Sequence, residues 1–415
     1  MLRRLLAAAA VLSLPACGVP QDPLDVPITH QRQVRLPLSP ELTAEGGAVE
    51  LLRLPPNAPL QRSRVVVAKG QTELVLDAED AELVAYSQQV NGMPLAAALV
   101  QAGCETPYAD TGVVLRVPED HPTIQGAIDL AAPGDTVLVG PGTFTEFLRL
   151  RPGVRLRGSG ADRTVLDAQG RAENLVDLTG APGVVISGFT FMGVPMADVG
   201  CSRPEDPFHC SGDWYRAAIF GDGHWLMEEA PEAEGCAGAS ALVTQNVFRD
   251  NFIAVMPYFH TRLVVANSVF VQNAYGYVAN RLQDRGALLN NVFLEQAELA
   301  VGITAGYVDV VNNVLARSGA GYFQGYVQEG RIACNVLWDN ALDERPSHDG
   351  ATPRLLVGAE GNVALDPLFV SFATGNFNLG PQSPAKDAGC AALGELDLDG
   401  SPIDIGAYGG MLGSW

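Results

Sequence analysis

The chain has 415 residues, 47% of them hydrophobic, which is enough for two or three domains and a large core. Acidic side chains outnumber basic ones 47 to 26, and the net charge of −21 opposes binding to nucleic acid or to an anionic membrane surface. A polyanion would be captured only where arginines cluster locally or calcium bridges the two.

The chain opens with "MLRRLLAAAAVLSLPACG", in which Arg3 and Arg4 precede an apolar run over residues 5–14 and then small residues and a cysteine. This reads as an export signal, too short for a stable membrane span. Its end resembles the bacterial lipoprotein signal, which implies that Cys17 is lipidated and becomes the new N-terminus, with residues 18–30 as a linker. Gly18, with no aspartate after the cysteine, resembles outer-membrane sorting in Gram-negative bacteria. Ordinary secretion with cleavage nearby is the alternative. Removing the signal takes away two of the 26 basic residues and none of the 47 acidic ones, leaving 24 against 47. Of seven cysteines, six remain in a chain whose export permits disulfides, and six allow 15 connectivities. Cys201, Cys210 and Cys236 crowd one segment, which predicts at least one bridge there; Cys334, inside a repeat strand, is expected to be a buried free thiol.

Residues 31–112 form a small first domain. "AVELLRLPPNA" and "TELVLDAEDAELVAY" show apolar strand patterns, and "VNGMPLAAALVQAG" predicts an amphipathic helix over about residues 94–102, stopped by Gly103. The order of these elements resembles a staphylococcal nuclease-like OB-fold. That family has arginine where Glu50 and Glu82 stand and carboxylates where Pro55 and Ala58 stand. Phosphoryl transfer needs positive charge on the phosphate and carboxylates for the metal. The resemblance therefore implies a catalytically silent module and not a nuclease.

From residue 113 onward the sequence repeats. "TQNVFRDN", "ANSVFVQN", "LNNVFLEQ", "VNNVLARS" and "ACNVLWDN" align on Val247, Val269, Val292, Val314 and Val336, with steps of 22 or 23 residues. So short a unit holds about three short strands and no core of its own, which predicts a solenoid. The row before the valines is Asn246, Ser268, Asn291, Asn313 and Asn335, and the row after is Phe248, Phe270, Phe293, Leu315 and Leu337. Alternation puts both rows on the inner face, with the amides stacking at a bend. A second polar row, Asn251, Asn273, Gln296, Ser318 and Asn340, marks the next turn. Ahead of the repeats, Thr123 caps a helix whose Ile124, Ala127, Ile128 and Ala131 share one face.

The stretch from "VVLRVPEDHPTIQGAIDLAAPGDTVLVGPGTF" to "GVRLRGSGADRTVLDAQG", with the C-terminal "NVALDPLFV" and "DLDGSPIDIGAYGG", resembles right-handed parallel β-helix proteins of the pectin lyase-like class. The resemblance implies a mainly β fold, a single-stranded parallel β-helix over residues 113–415 with a capping helix at its open end. It names no reaction, because this class holds lyases, hydrolases, esterases, epimerases and inert adhesins.

Three places compete for chemistry. The spacing leaves a surplus at about residues 196–238, read as an inserted loop carrying His209, Asp213, Trp214, His224, Trp225, Glu228 and Glu229. Even offsets past the valines, continued into the next strand, give a face with Tyr277, Arg281, Tyr322, Gln324 and Tyr326, which beside Arg285 would stack and hydrogen-bond sugar rings. The turn "DERPSHDG" offers Arg345, His348 and Asp349. Alternatives with no ligand stand beside the first two, a decorative loop and a bland tyrosine-rich surface; the third has the His, Asp and Arg that alginate epimerases and lyases of the resembling class use, without their fuller motif. No spacing forms a strong zinc signature, and "DLDG" at 397–400 suits a closing turn or, on its own weakly, calcium oxygens. The fold, the face and the signal together point to a surface lipoprotein that binds extracellular polysaccharide. The rival is a polysaccharide lyase, hydrolase or epimerase using His209, His224, Arg281, Arg285 or His348. A third reading is an envelope spacer or protein-docking solenoid with no glycan ligand.

Overall fold

A computed structural model describes residues 31–415 except 56–60, 80–81, 91–92, 102–107, 109, 196–215, 224–237, 329, 347–355, 391–395, 398, 411–412 and 414–415. The expectations for Cys17, His209, Asp213, His224, His348 and Asp349, and for the cysteine cluster at 201–236, lie outside the described residues.

Strand β1 (Gln31–Pro37) is followed by helix α1 (Pro40–Glu45), β2 (Gly47–Leu54), β3 (Gln61–Val67), β4 (Glu73–Glu79), β5 (Leu83–Val90) and β6 (Met93–Gln101). The strands form an antiparallel pair, β1–β4, and an antiparallel sheet in the order β3-β2-β5-β6. The helix expected over residues 94–102 is strand β6, paired along its length with β5. Alanine's helix preference is small per residue, and cross-strand pairing overrides it. The described helix here lies between β1 and β2; the region is a small α+β unit, and its strand order gives the closer OB-fold resemblance no support. Glu82 is buried against Arg53 at 2.5 Å, and Glu50 is buried near Arg64 at 3.4 Å, so both carboxylates serve as structural ion-pair partners.

The rest is a right-handed parallel β-helix. Strand β7 (Val114–Val117) opens it, and helix α2 (Ile124–Leu130) caps it. Thr123 Oγ accepts from the Gly126 amide at 3.2 Å, the Glu146 carboxylate takes the next two free amides, and Ile124, Ala127, Ile128 and Ala131 are buried as expected. A sheet of three-residue strands stacks in register through Val247–Arg249, Val269–Val271, Val292–Leu294, Val314–Ala316 and Val336–Trp338. The larger parallel sheet supplies the other two walls, joined where Tyr275–Leu289 and Leu299–Val311 bend through the corner.

The interior matches the repeat. Phe191, Phe248, Phe270 and Phe293 stack with ring centroids 4.3–5.3 Å apart and no solvent exposure. Asn291 Nδ2 donates to Asn313 Oδ1 at 3.0 Å, Asn313 to Asn335 at 3.1 Å and Asn335 to Asn362 at 2.9 Å. The second ladder runs from Asn251 to Asn273 and from Asn273 to Gln296, both at 3.0 Å. Each ladder residue follows one in the left-handed region: Gln245, Asn267, Asn290, Asn312 and Cys334 at the first bend, Asp250, Gln272, Glu295, Arg317 and Asp339 at the second.

Two outer walls are covered by other parts of the chain. Leu52, Leu54 and Ala85 of the N-terminal sheet pack on Val185, Leu242, Val264 and Ala287. The C-terminal segment lays Phe377, Ala385, Ile405 and Ala407 on the outward valines Val269, Val292, Val314 and Val336. Cys334 is bonded to Cys390 and is therefore not the free thiol expected. The surplus at about 196–238 is not one loop: Ala217–Asp222, within it, is a strand of the solenoid, paired with Val176–Asp177 and Ile253–Tyr258.

Candidate functional site

The tyrosine face is reversed by the structure. Tyr277 and Tyr322 have no solvent exposure and belong to the main interior cluster with Val255, Val301 and Ile303. The reason is the left-handed residue at the second bend: Gln272, at φ 56°, breaks the two-residue alternation, so a count begun at Val269 points the wrong way after it. The opposite row, Met256, Val278 and Phe323, is also buried, and forms an apolar cluster of its own with Phe220. Gln324 is part-exposed, and its buried Oε1 lacks a hydrogen-bond partner among the described residues. Arg281 and Tyr326 lie in strands whose backbone is described and whose side chains are not. Arg285 pairs in register with Arg262 and Tyr307, its guanidinium 5.9 Å from the Tyr307 ring centre. The structure therefore does not gather the predicted residues into one exposed site. Arg345, in the third candidate segment, lies 3.4 Å from Glu298.

A different place is open. On the outer side of the three-residue strands, a groove of about 1420 Å³ extends beyond the area covered by the C-terminal segment. Its floor is Val165, Thr190, Val247 and Val269, one position of each of four successive coils, with Val271 beside them on the last, and neighbouring coils lie about 4.8 Å apart. One wall is the turn at residues 157–163. The other is the C-terminal segment, with Phe372, Phe377 and Tyr408.

The turn is fixed from below. Thr164 Oγ accepts from the Ser159 amide at 2.9 Å, Ser159 Oγ donates to the Val139 carbonyl at 2.8 Å, and Thr190 Oγ donates to the Ala161 carbonyl at 2.6 Å. At Gly158 and Gly188 the two backbones meet so closely that a Cβ on Gly158 would overlap the Gly188 carbonyl. The aromatic wall is held by edge contacts of Phe377 with Phe369 and Phe372, at 5.6 and 6.5 Å, and by Arg317 over Phe372 at 4.4 Å.

Electrostatically the groove departs from the rest of the molecule. Arg157, Arg163 and Arg249 line it against Asp162 and Glu295 alone, in a chain of net charge −21. Glu295 is paired with Arg317 at 3.3 Å, and Asp162 lies 3.6 Å from Arg163. Arg157 and Arg249 are exposed and have no ion pair among the described residues. Gln245 and Gln272 add amides and Ser159 a hydroxyl. Such a surface can bind, through stacking, hydrogen bonds and guanidinium contacts.

Sequence reasoning missed this groove because its two walls come from segments more than 200 residues apart. The signal available was the arginines of "RLRGSGADR" and "VFRD", which stand outward on two neighbouring walls at the same bend. Among the described residues no group of three His, Cys, Asp or Glu side chains could hold a metal ion. The "DLDG" carboxylates are used in the turn itself: Asp397 accepts from the amides of Gly410 and Asp404, and Asp399 from Ser401.

No family model matches the chain, and no curated protein matches it. Among solved structures it is similar to pectin methylesterase PemA from Erwinia chrysanthemi, 12% identical over 61% of this chain and 92% of that one, with a TM-score of 0.31. A GH87 α-1,3-glucanase catalytic unit from Streptomyces thermodiastaticus is 14% identical over 76% of this chain and 62% of its own, at a TM-score of 0.39. The PL6 family alginate lyase AlyGC is 15% identical over 56% and 40%, at 0.32. The chain thus spans less than two thirds of the glucanase and of the lyase. Likenesses this distant say nothing of a reaction here.

Proposed function

We propose that the protein is an exported lipoprotein whose β-helix binds polysaccharide along the groove between residues 157–163 and the C-terminal segment. One observation carries this reading: an open groove crosses successive coils and repeats similar positions at a fixed interval, as a chain of similar rings would require. Phe372 and Tyr408 offer faces and edges for stacking, and Gln245, Gln272 and Ser159 offer donors and acceptors for hydroxyl groups. The Cys334–Cys390 disulfide supports export, since such bonds persist in oxidising compartments.

The binding test is affinity electrophoresis of the soluble chain from Gly18 through gels containing single polysaccharides, with the same incubations scored for new chain ends. Retardation by at least one glycan, weakened several-fold by Tyr408→Ala with Phe372→Ala, is the expected result. Retardation unchanged by both substitutions would move the site elsewhere. New chain ends would make the protein an enzyme. The anchor is tested separately by fatty-acid labelling of the full chain, which Cys17→Ala should abolish.

A further inference from the structure

Resting on that groove reading, we infer that the ligand is an anionic polysaccharide and that Arg157 and Arg249 are the residues that select it. The overall charge argues the other way, so the case has to be made locally. At physiological ionic strength a charge is screened beyond about 8 Å, so what a bound chain meets is the lining of the groove and not the net −21 of the protein. That lining carries three guanidinium groups against two carboxylates. Both carboxylates have an arginine neighbour, Asp162 beside Arg163 and Glu295 beside Arg317, which is not itself in the lining. Arg157 and Arg249 have no carboxylate partner among the described residues.

Their placement is set by the register. Arg157 pairs with Ser187, and Ser187 with Thr244, in the coil that goes on to Val247–Arg249. The two arginines therefore belong to coils two steps apart, about 10 Å along the axis, and stand on neighbouring walls, Arg157 on the larger sheet and Arg249 past the bend on the sheet of three-residue strands. Each stands at an exposed position of a rigid strand, and Arg249 makes only a 3.4 Å contact with Met192 Sδ. Two guanidinium groups carried on strands two coils apart suit a polymer that carries carboxylate or sulfate groups periodically, because each can take both oxygens of one such group. A neutral glycan would gain from them only hydrogen bonds to its hydroxyl groups, without the charge-assisted part. Nucleic acid is disfavoured because the cationic stretch is short and lies in an acidic molecule, and is an outcome of the test.

The test compares polymers that differ only in charge: polygalacturonate with its methyl ester, and dextran sulfate with dextran, plus single-stranded DNA as a polyanion without sugars of that kind in its charged groups. Binding is measured by titration calorimetry at two salt concentrations. We expect each charged polymer to bind at least tenfold more tightly than its neutral counterpart, and Arg157→Gln with Arg249→Gln to remove that advantage while thermal unfolding stays unchanged. Arg157→Lys with Arg249→Lys should restore part of it, since charge returns without the two-toothed geometry. Equal binding of charged and neutral polymers would overturn the inference and leave the groove reading standing. Binding of none, after the gel survey has also failed, would remove both. DNA bound as tightly as polygalacturonate, through the same two arginines, would show unselective polyanion capture and overturn the glycan assignment.

Discussion

The same outward valine row meets two fates along one solenoid. At Val292, Val314 and Val336 it lies under the C-terminal segment, and at Val165 and Val247 it floors an open groove. The covered end is held by sequence features the open end lacks. Asn267 Nδ2 donates to the carbonyls of Ala407 and Gly409 at 3.0 and 2.7 Å, Asn290 Nδ2 to that of Asp404 at 2.7 Å, and Asn312 Oδ1 accepts from the Cys390 amide at 2.8 Å. Asparagine tolerates the left-handed backbone these positions require, and its amide faces out to read a neighbouring chain. The repeat thus builds a surface, and residues at the bends help decide whether that surface is closed by the protein itself or left open.

Changes in the shared interior should damage both ends alike and have the largest effects. Phe270→Ala removes a ring stacked between two others at zero exposure, and a loss of about 3–5 kcal/mol is expected in urea unfolding. Next comes the contrast between the two asparagine rows. Asn313, inside, accepts from the Asn291 amide at 2.9 Å and donates to Asn335, so Asn313→Ala leaves buried partners unpaired and should cost about 3 kcal/mol. Asn290→Ala, outside, loses its bond to the C-terminal segment and strains a left-handed residue, for about 1–2 kcal/mol. Equal losses would mean that the inner ladder contributes no more than the outer clasp.

The disulfide separates the two ends. Cys390→Ala, or reduction, should free the covered end by about 2 kcal/mol and make residues 369–413 sensitive to limited proteolysis, while the coils stay resistant. Because Phe372, Phe377 and Tyr408 form one wall of the groove, glycan retention should fall with it. Retention that survives proteolysis of the segment would place binding on residues 157–163 and the floor alone.

Much of this fold is written in the repeat. The 22-residue step, the inward asparagines and the apolar row at Phe248 and Phe270 each follow from period and alternation, and the Thr123 cap from local hydrogen-bond chemistry. What alternation could not carry was phase across a bend: one left-handed residue at Gln272 turned the expected tyrosine face inward. Nor could it foresee which outward rows the chain would cover, since that depends on contacts between the repeats and segments such as Leu52–Ala85 or Phe377–Ala407. The groove was illegible for the same reason. Its arginines were visible as residues, and its second wall was not.

The smallest effect expected is a pH dependence confined to the covered end. The Asp397 carboxyl is raised from 3.8 to about 6, chiefly because burial penalises its charge; the amide of Gly410 pulls the other way, and nearby Asp404 raises it further. Asp404 is itself raised, again mainly by burial. For a carboxyl raised on folding, the folded state holds its proton more tightly than the unfolded chain does. The stabilisation is therefore fully present below the ordinary value of 3.8 and is lost as pH rises through about 6. For a part-exposed group the gain is on the order of 1 kcal/mol once solvent screening is allowed for. Hydrogen exchange at the Gly406 and Gly410 amides, corrected for intrinsic rates, should show stronger protection at pH 4.5 than at pH 7.5, with the Asn313 amide in the ladder unmoved. Protection that instead grows with pH would mean that the two amide bonds to ionised Asp397 outweigh its burial, and the turn would then be clasped by charge and not in spite of it.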